Sequence, residues 1–410
     1  MKQTFSYLII LLTVIGGIAA HTQTADPKAA LTAQRIRDVE NGLVAFAPGA
    51  PPDPGQAPKL MTLAERMAFY KVPGVSIAVI DQGGIEWAKG YGVLKAGSPA
   101  PVTTASLFEA ASTTKAVVVA IVLKLVQDGK LDLDADVNRY LKSWRIAENE
   151  FTKAQKVTLR LLLTHRAGLP VTNFPYDEKG APPTLVQVLR GEAPASNKAA
   201  AVELTPGSKW QYSNIGYVVV QRVLEDVLGQ PLEAIAREWV FAPLGMVDST
   251  FAYPLAPARH EDEALPHDEA GAAQPPAMHP SALAQGGLMT TPTDLARFVC
   301  ELLLAYHGRS QRLLNQASVQ RMIAKELDLD PRLFGFPVAE GLGVFVSSSG
   351  ANLSFSHPGN NYPGATCWLL AFPGRLQGAV IMTNGAGGEL LTLELIASLS
   401  AAYSWPPMGE

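Results

Sequence analysis

The sequence predicts an α/β (α+β) protein whose sheet is assembled from both ends of the chain around an all-helical insertion. Short β-rich runs cluster in two distant places, Val75 to Tyr91 and Gly343 to Thr383. Between them, from about Leu131 to His279, the periodicity is helical and no convincing strand pair occurs. Strands at both ends of a helical middle are expected to complete one sheet. The third observation is a helix opened by Ser112-Thr113-Thr114-Lys115 and continued by Ala116-Val117-Val118-Val119-Ala120-Ile121-Val122-Leu123. A helix apolar on every side is a buried one.

The elements follow in order. Lys2 and the apolar run Tyr7 to Ala20 read as the n- and h-regions of a signal peptide, residues 1–20, too short to span a bilayer comfortably. Residues 21–59 are polar and then Pro-rich, and read as a lead-in outside the core. Thr62-Leu63-Ala64-Glu65 is a capping box that starts a short helix, ended by Pro73-Gly74. Val75 to Ile80 and Ile85 to Tyr91 are strands of a hairpin around Asp81-Gln82-Gly83-Gly84. The Ser112 helix stops at Gly129. Helical patterns then occupy Thr158 to His165, Gly216 to Leu228 and Leu232 to Phe241, and Pro254 to Pro280 reads as loop. A helix follows Thr291-Pro292-Thr293. Strands are expected at Gly343 to Val346, Leu353 to Ser356, Ala365 to Phe372 and Gly378 to Thr383, then a last helix from Glu389 to Tyr403. The α/β part therefore takes residues 60–130 and 280–410, and the helices and loops 131–279.

Composition bounds the function. The 410 residues are 48% hydrophobic and 17% charged with a net charge of -4, enough for one large domain or two intimate ones. No basic block points to nucleic acid or to an anionic membrane. With its signal peptide removed the chain is expected to be exported, periplasmic or secreted, without a membrane span. Cys300 lies in an apolar helical run and Cys367 in an apolar strand, where unpaired buried thiols are ordinary. His260, Glu261, Asp262, Glu263, His267, Asp268 and His279 have no ligand spacing on a helix and read as solvated loop, so no metal and no cofactor is expected.

The chemistry starts at Ser112. Three residues apart, Ser112 and Lys115 share a helix face. Burial favours the neutral, basic form of a lysine, and a basic amine beside a hydroxyl makes an activated nucleophile. Tyr212-Ser213-Asn214 adds a phenol able to shuttle protons and a carboxamide able to clamp a substrate amide, on one short loop. His357-Pro358-Gly359 ends the strand Leu353 to Ser356. Proline is confined to edge strands with its missing N–H facing outwards, and two residues on, the Asn360 N–H faces the same way. Asn360 N–H and the helix-start Ser112 N–H can then bind an oxyanion together. An unperturbed His357 would titrate near pH ~6.5. His165 reads as a brace at a helix end. No Gly-x-Ser-x-Gly elbow and no His-Glu-x-x-His occurs.

These motifs, together with Val72-Pro73-Gly74-Val75, Leu107-Phe108-Glu109-Ala110-Ala111-Ser112, Leu162-Leu163-Thr164-His165-Arg166-Ala167-Gly168-Leu169, Pro243-Leu244-Gly245-Met246 and Gly287-Leu288-Met289-Thr290-Thr291-Pro292, resemble the serine β-lactamase and penicillin-binding-protein superfamily, nearest its class C β-lactamase and DD-peptidase branch. The resemblance covers roughly Leu60 to the C-terminus. It implies an antiparallel sheet flanked by helices, Ser112 as the acylated nucleophile, and Lys115 and Tyr212 as acid/base partners. It also implies that Asn214 holds Lys115 and the substrate amide, and that His357 and Gly359 line the cleft. The third motif departs from the Lys-Thr-Gly of class C β-lactamases and is similar to the His-x-Gly of certain DD-peptidases, D-aminopeptidases and esterase-like relatives. The expectation is an exported serine hydrolase of peptide or small-molecule amides or esters, with peptidoglycan a candidate partner. A β-lactamase is the second choice, and a non-catalytic peptidoglycan-binding or scaffold protein the alternative of another class.

Overall fold

The computed structural model describes residues 26–45, 58–174, 180–333, 336–347 and 352–406. The signal peptide reading, 1–20, lies outside them. Among the described residues no helix is long and apolar enough to cross a membrane.

One eight-stranded antiparallel sheet organises the chain. Its strands are β1 (Gly74–Asp81), β2 (Gly84–Gly92), β5 (Leu327–Asp328), β6 (Ala339–Glu340), β7 (Phe345–Ser347), β8 (Ser354–Asn361), β9 (Ala365–Phe372) and β10 (Gln377–Thr383), in the order β2-β1-β10-β9-β8-β7-β6-β5. A two-stranded ladder of β3 (Phe108–Glu109) and β4 (Met289–Thr290) lies apart. The β1–β2 hairpin turns through Gln82 and Gly83, both at positive φ, 54° and 77°, the pairing that a twist-matched two-residue turn requires. The N-terminal strands meet the C-terminal ones where β1 pairs with β10, Val75 opposite Thr383.

Strand alternation divides the core into two. Val75, Ile77 and Val79 of β1 and Trp368, Leu370 and Phe372 of β9 face one cluster; Ala78 and Ile80, with Cys367, Leu369 and Ala371, face the other. Both faces are covered, so these strands read as nearly continuous apolar runs. The Thr114–Gln127 helix fills the larger cluster, with every residue from Ala116 to Leu123 no more than 1% exposed. That cluster also takes in Leu159, Leu162, Ile215, Val219 and Leu224 from the helical middle. The helix is therefore a spine shared by the sheet and the helical part.

Three expectations are corrected. The lead-in assigned to 21–59 contains a 15-residue helix, Pro27–Asn41, with Asp26 as N-cap and Pro27 in its first turn. It packs with the Gly388–Tyr403 helix on the smaller cluster, burying Val39 and the following Leu43 completely. Its mostly polar sequence hid a single narrow apolar stripe. The strand expected to end at Ser356 runs through Pro358 to Asn361, and it is no edge strand along its first half, where β7 pairs with Ser354 to Ser356. Beyond Ser356 β7 departs, and only β9 remains as partner. Proline is tolerated there because that side makes no ladder. Finally, Ser112 sits in a 3-10 turn, Ala111–Thr113, and the α-helix proper begins at Thr114.

The smaller cluster is pinned by a buried ion pair. Arg66 grips Glu394 through Nε and Nη2, each 2.7 Å from a carboxylate oxygen, and the Tyr70 hydroxyl adds a third bond at 2.7 Å. Removing one partner strands a buried charge, at a cost of about 3–5 kcal/mol. Glu394→Ala is accordingly expected to lower the urea midpoint sharply. The double change Arg66→Met with Glu394→Leu should recover most of the loss. A midpoint unchanged in Glu394→Ala would contradict this view of the cluster.

Candidate active site

Ser112 is presented by a strained corner. Ala111 has φ 46°, a region that non-glycine residues rarely occupy. The corner is held from both sides: the Ala110 N–H donates to the Leu288 carbonyl at 2.8 Å, and the Leu288 N–H donates to the Thr114 hydroxyl at 3.2 Å. The half-buried Ser112 then projects into a cleft between the sheet and the helical part.

Below it, Lys115 is completely buried. Its Nζ lies 3.0 Å from Ser112 Oγ, 3.0 Å from Asn214 Oδ1 and 2.5 Å from the Gln285 carbonyl. The ring faces of Tyr212 and Tyr217 close the remaining sides, 5.0 and 5.3 Å from the amine. Desolvation pulls the Lys115 pKa well below its ordinary value, opposed only by the nearby Glu340 carboxyl. Burial has the reverse effect on the Tyr212 phenol, raising its pKa, while hydrogen bonding to Ser112 works to lower it. Burial thus favours the neutral amine and the protonated phenol beside one hydroxyl.

Tyr212 and Asn214 are placed by the turn between them. Ser213 caps the Asn214–Leu228 helix by accepting from the Gly216 N–H, and donates from its hydroxyl to the Pro170 carbonyl. Asn214 is therefore the first residue of a helix and not part of the loop. His165, itself at φ 55°, accepts the Ser213 N–H at Nδ1 (3.1 Å) and stacks on Tyr212 with centroids 4.1 Å apart. Burial pulls its pKa well below the ordinary imidazole value, which favours the neutral form able to accept.

The third motif lies across the cleft. A Cβ on Gly359 would fall 2.4 Å from the Ala110 carbonyl and 3.0 Å from the Ser112 nitrogen, so only glycine lets β8 approach the Ser112 corner. On the side of β8 that β7 leaves free, alternation puts the Asn360 N–H where Pro358 has none. Two N–H groups, of Ser112 and Asn360, thus border the same space. His357 behaves differently from the titrating group the sequence suggested. It is 2% exposed, its Nδ1–H donates to the Pro358 carbonyl at 2.6 Å, and burial pushes its pKa down to about 3. It is neutral across physiological pH and supplies no cation.

Several residues that shape the site were not singled out from sequence. Gln221, buried on the Asn214–Leu228 helix, accepts the N–H groups of Leu283 and Ala284 (2.9 and 3.1 Å) and so fixes the loop whose Gln285 carbonyl meets Lys115. Glu340 is buried and hydrogen-bonded by the Trp210 indole at 3.0 Å; burial raises its pKa to about 8, against the effects of Trp210 and Lys115. Glu109, three residues before Ser112, is raised by burial to about 7 and accepts from the Asn361 side chain at 2.7 Å, linking β3 to the end of β8. The proximity of Glu109 to the Ser112 motif and of Gln285 to Gly287-Leu288-Met289 was the available signal. Glu340 gave none, because its place depends on β6 joining the sheet. Of the acidic and histidine loop cluster, His267 is fully buried, takes the Ala96 N–H at Nε2 and meets the Asn384 carbonyl through Nδ1; it is a structural brace. Cys300 and Cys367 are free and buried.

The cleft has two lobes meeting at Ser112. A polar lobe of about 670 Å³ includes Asn173, Asn214, Gln285 and Asn361. An aromatic lobe of about 260 Å³ is walled by Trp210, Tyr212, Phe345 and Trp368. Fold and constellation together define the class of the β-lactamases and penicillin-binding-protein-like hydrolases.

A profile of the Beta-lactamase family matches residues 62–402, and the chain belongs to that family. A putative D-alanyl-D-alanine carboxypeptidase of Escherichia coli O157:H7 is 28% identical over 265 residues, 61% of this chain and 56% of that protein. Esterase EstB of Burkholderia gladioli is 33% identical over 193 residues, 44% of this chain and 47% of the esterase. The chain thus matches about half the length of these curated relatives. The octameric penicillin-binding protein homologue from Pyrococcus abyssi shares the fold, with a TM-score of 0.71 at 24% identity over 84% of this chain and 76% of that one.

Two pH effects are expected. Folded Lys115 binds a proton less readily than unfolded Lys115, so stability rises with pH between its folded value and about 10.4. The stability of Lys115→Met relative to wild type should therefore increase as pH is lowered through that window, measured by denaturant unfolding at several pH values; a constant difference would contradict a depressed lysine. Separately, histidine NMR titration should show one imidazole, assigned by its loss in His357→Gln, that stays neutral between about pH 8 and 5. Its titration near 6.5 would contradict the buried placement.

Proposed function

We propose that this chain is an exported serine hydrolase that forms an acyl-enzyme on Ser112 from an amide or ester. The observation that carries the reading is the 3.0 Å approach of a desolvated lysine amine to the Ser112 hydroxyl. Neutral Lys115 takes the hydroxyl proton as Oγ attacks the carbonyl carbon. The N–H groups of Ser112 and Asn360 hold the oxyanion. The proton passes by way of the Tyr212 hydroxyl to the leaving nitrogen or oxygen. Water then cleaves the ester to Ser112, with the same two groups returning its proton, and the substrate acid is released.

Asn214 orients Lys115 through its carbonyl oxygen, leaving its amide nitrogen free to face a substrate carbonyl in the polar lobe. The neutral His357 and the side-chain-poor Pro358-Gly359 favour peptidase or esterase chemistry over β-lactam hydrolysis, since no lysine stands at the third motif to hold a β-lactam carboxylate. Family membership keeps β-lactam turnover as the second reading. The peptide ends of peptidoglycan suggested by the carboxypeptidase relative's name carry the same carboxylate, which ranks them below uncharged esters and amides. Export rests on the N-terminal sequence pattern.

A fluorophosphonate probe tests this. Wild type should be labelled, with the adduct mapped by mass spectrometry to Ser112. Ser112→Ala should lose labelling and ester hydrolysis at an almost unchanged melting temperature, because it removes one hydroxyl from a half-buried turn. Tyr212→Phe should lose about 10²–10⁴-fold in kcat/KM. Labelling retained in Ser112→Ala would overturn the mechanism.

A further inference from the structure

We propose that the aromatic lobe is a subsite for a cationic nitrogen, an ammonium or trimethylammonium group carried by the substrate, with Glu389 as its counter-charge. The proposal rests on the acyl-serine reading above and names the substrate class of that same site.

Four aromatic side chains, Trp210, Tyr212, Phe345 and Trp368, wall one small lobe that opens at Ser112. A cation over such ring faces is attracted by their quadrupoles. Apolar walls alone would fit any hydrocarbon group, and the lobe's charge decides between them. Its one carboxylate, Glu389, stands at the start of the Gly388–Tyr403 helix, exposed at the rim, with Oε2 3.3 Å from the Asn360 side-chain nitrogen. That single neutral contact leaves the carboxylate without a cationic partner among the described residues. No lysine or arginine is among the residues lining either lobe.

Neither His357, which lines the lobe, nor Lys115, beneath Ser112, supplies opposing charge. His357 is locked neutral, its pKa near 3. Lys115 lies beneath Ser112, behind the Tyr212 ring, with its proton affinity depressed by burial. A carboxylate substituent entering the lobe would meet Glu389 and no partner, whereas a cationic one would meet aromatic walls and a carboxylate. The geometry of the Glu389–Asn360 contact also joins recognition to catalysis, because the Asn360 backbone N–H borders the oxyanion space. A cation drawn to Glu389 therefore sits beside the strand end that the reacting carbonyl must reach.

Matched esters test the subsite. On the acyl side, the para-nitrophenyl ester of γ-(trimethylammonio)butyric acid is compared with the isostere in which carbon replaces nitrogen, and with the para-nitrophenyl monoester of glutaric acid. On the alcohol side, butyrylcholine is compared with its carbon isostere. In wild type at low salt, kcat/KM for the cationic member should exceed that for its neutral isostere about tenfold in at least one pair, the carboxylate ester should be slowest, and the preference should shrink as salt is added. In Glu389→Gln the cationic-to-neutral ratio should fall at least threefold, whatever the absolute rates. Glu389→Lys should reverse the order of the cationic and carboxylate esters. Equal rates within both pairs, or ratios unmoved in both Glu389 variants, would overturn the subsite. Failure of the acyl-serine reading looks different: no fluorophosphonate adduct on Ser112 and no turnover of any ester would overturn that reading and this inference with it.

Discussion

An amine that cannot reach water must be met by acceptors from the chain, and that requirement at Lys115 governs the site. Its three polar partners come from the turn before its own helix, the start of the Asn214–Leu228 helix and the loop ending in Gly286-Gly287. These segments are far apart in sequence. Each is fixed in turn: the Ser112 corner by its Ala110 and Thr114 bonds to Leu288, Asn214 by the Ser213 cap and His165, Gln285 by Gln221. The buried spine that carries Lys115 is packed by both the sheet and the helical part. Dense packing of this kind leaves little slack for the Ser112 hydroxyl to move away from the Lys115 amine.

The same burial leaves the base of the cleft almost free of charge. Lys115 and His357 are disfavoured as cations, and Glu340 and Glu109 are pushed towards their protonated forms. An uncharged, preorganised floor is well suited to stabilising the one charge that the proposed reaction creates, an oxyanion between the Ser112 and Asn360 N–H groups. Charge discrimination is then left to the rim, where solvent still reaches the side chains.

Much of this was legible in the sequence because the informative features are local. An apolar run on all sides of Lys115, the Thr62 capping box and the two runs flanking the Asp81-Gln82-Gly83-Gly84 turn each state their structure within a dozen residues. The parts that were not legible depend on distant partners. The Pro27–Asn41 helix looks like solvated lead-in until the Gly388–Tyr403 helix provides a surface for Val39. The strand through His357-Pro358-Gly359 could be read as terminating at proline because the departure of β7 is invisible in the chain. His357 was assigned an ordinary titration because its burial arises from Phe345 and the neighbouring strands, none of which is close in sequence. Gln221 and Glu340 were missed for the same reason: a buried polar side chain on an apolar helix or short strand has no local mark of its purpose.

The central claim is that Lys115 is neutral in the folded protein and positioned to receive the Ser112 proton. Nitrogen NMR of lysine-labelled protein reads this directly, with the Lys115 Nζ resonance assigned by its absence in Lys115→Met. The account expects that resonance to report a neutral amine at neutral pH and to change only as pH is lowered well below the range of the exposed lysines. A Lys115 resonance that titrates with the others, near pH ~10.4, would contradict it.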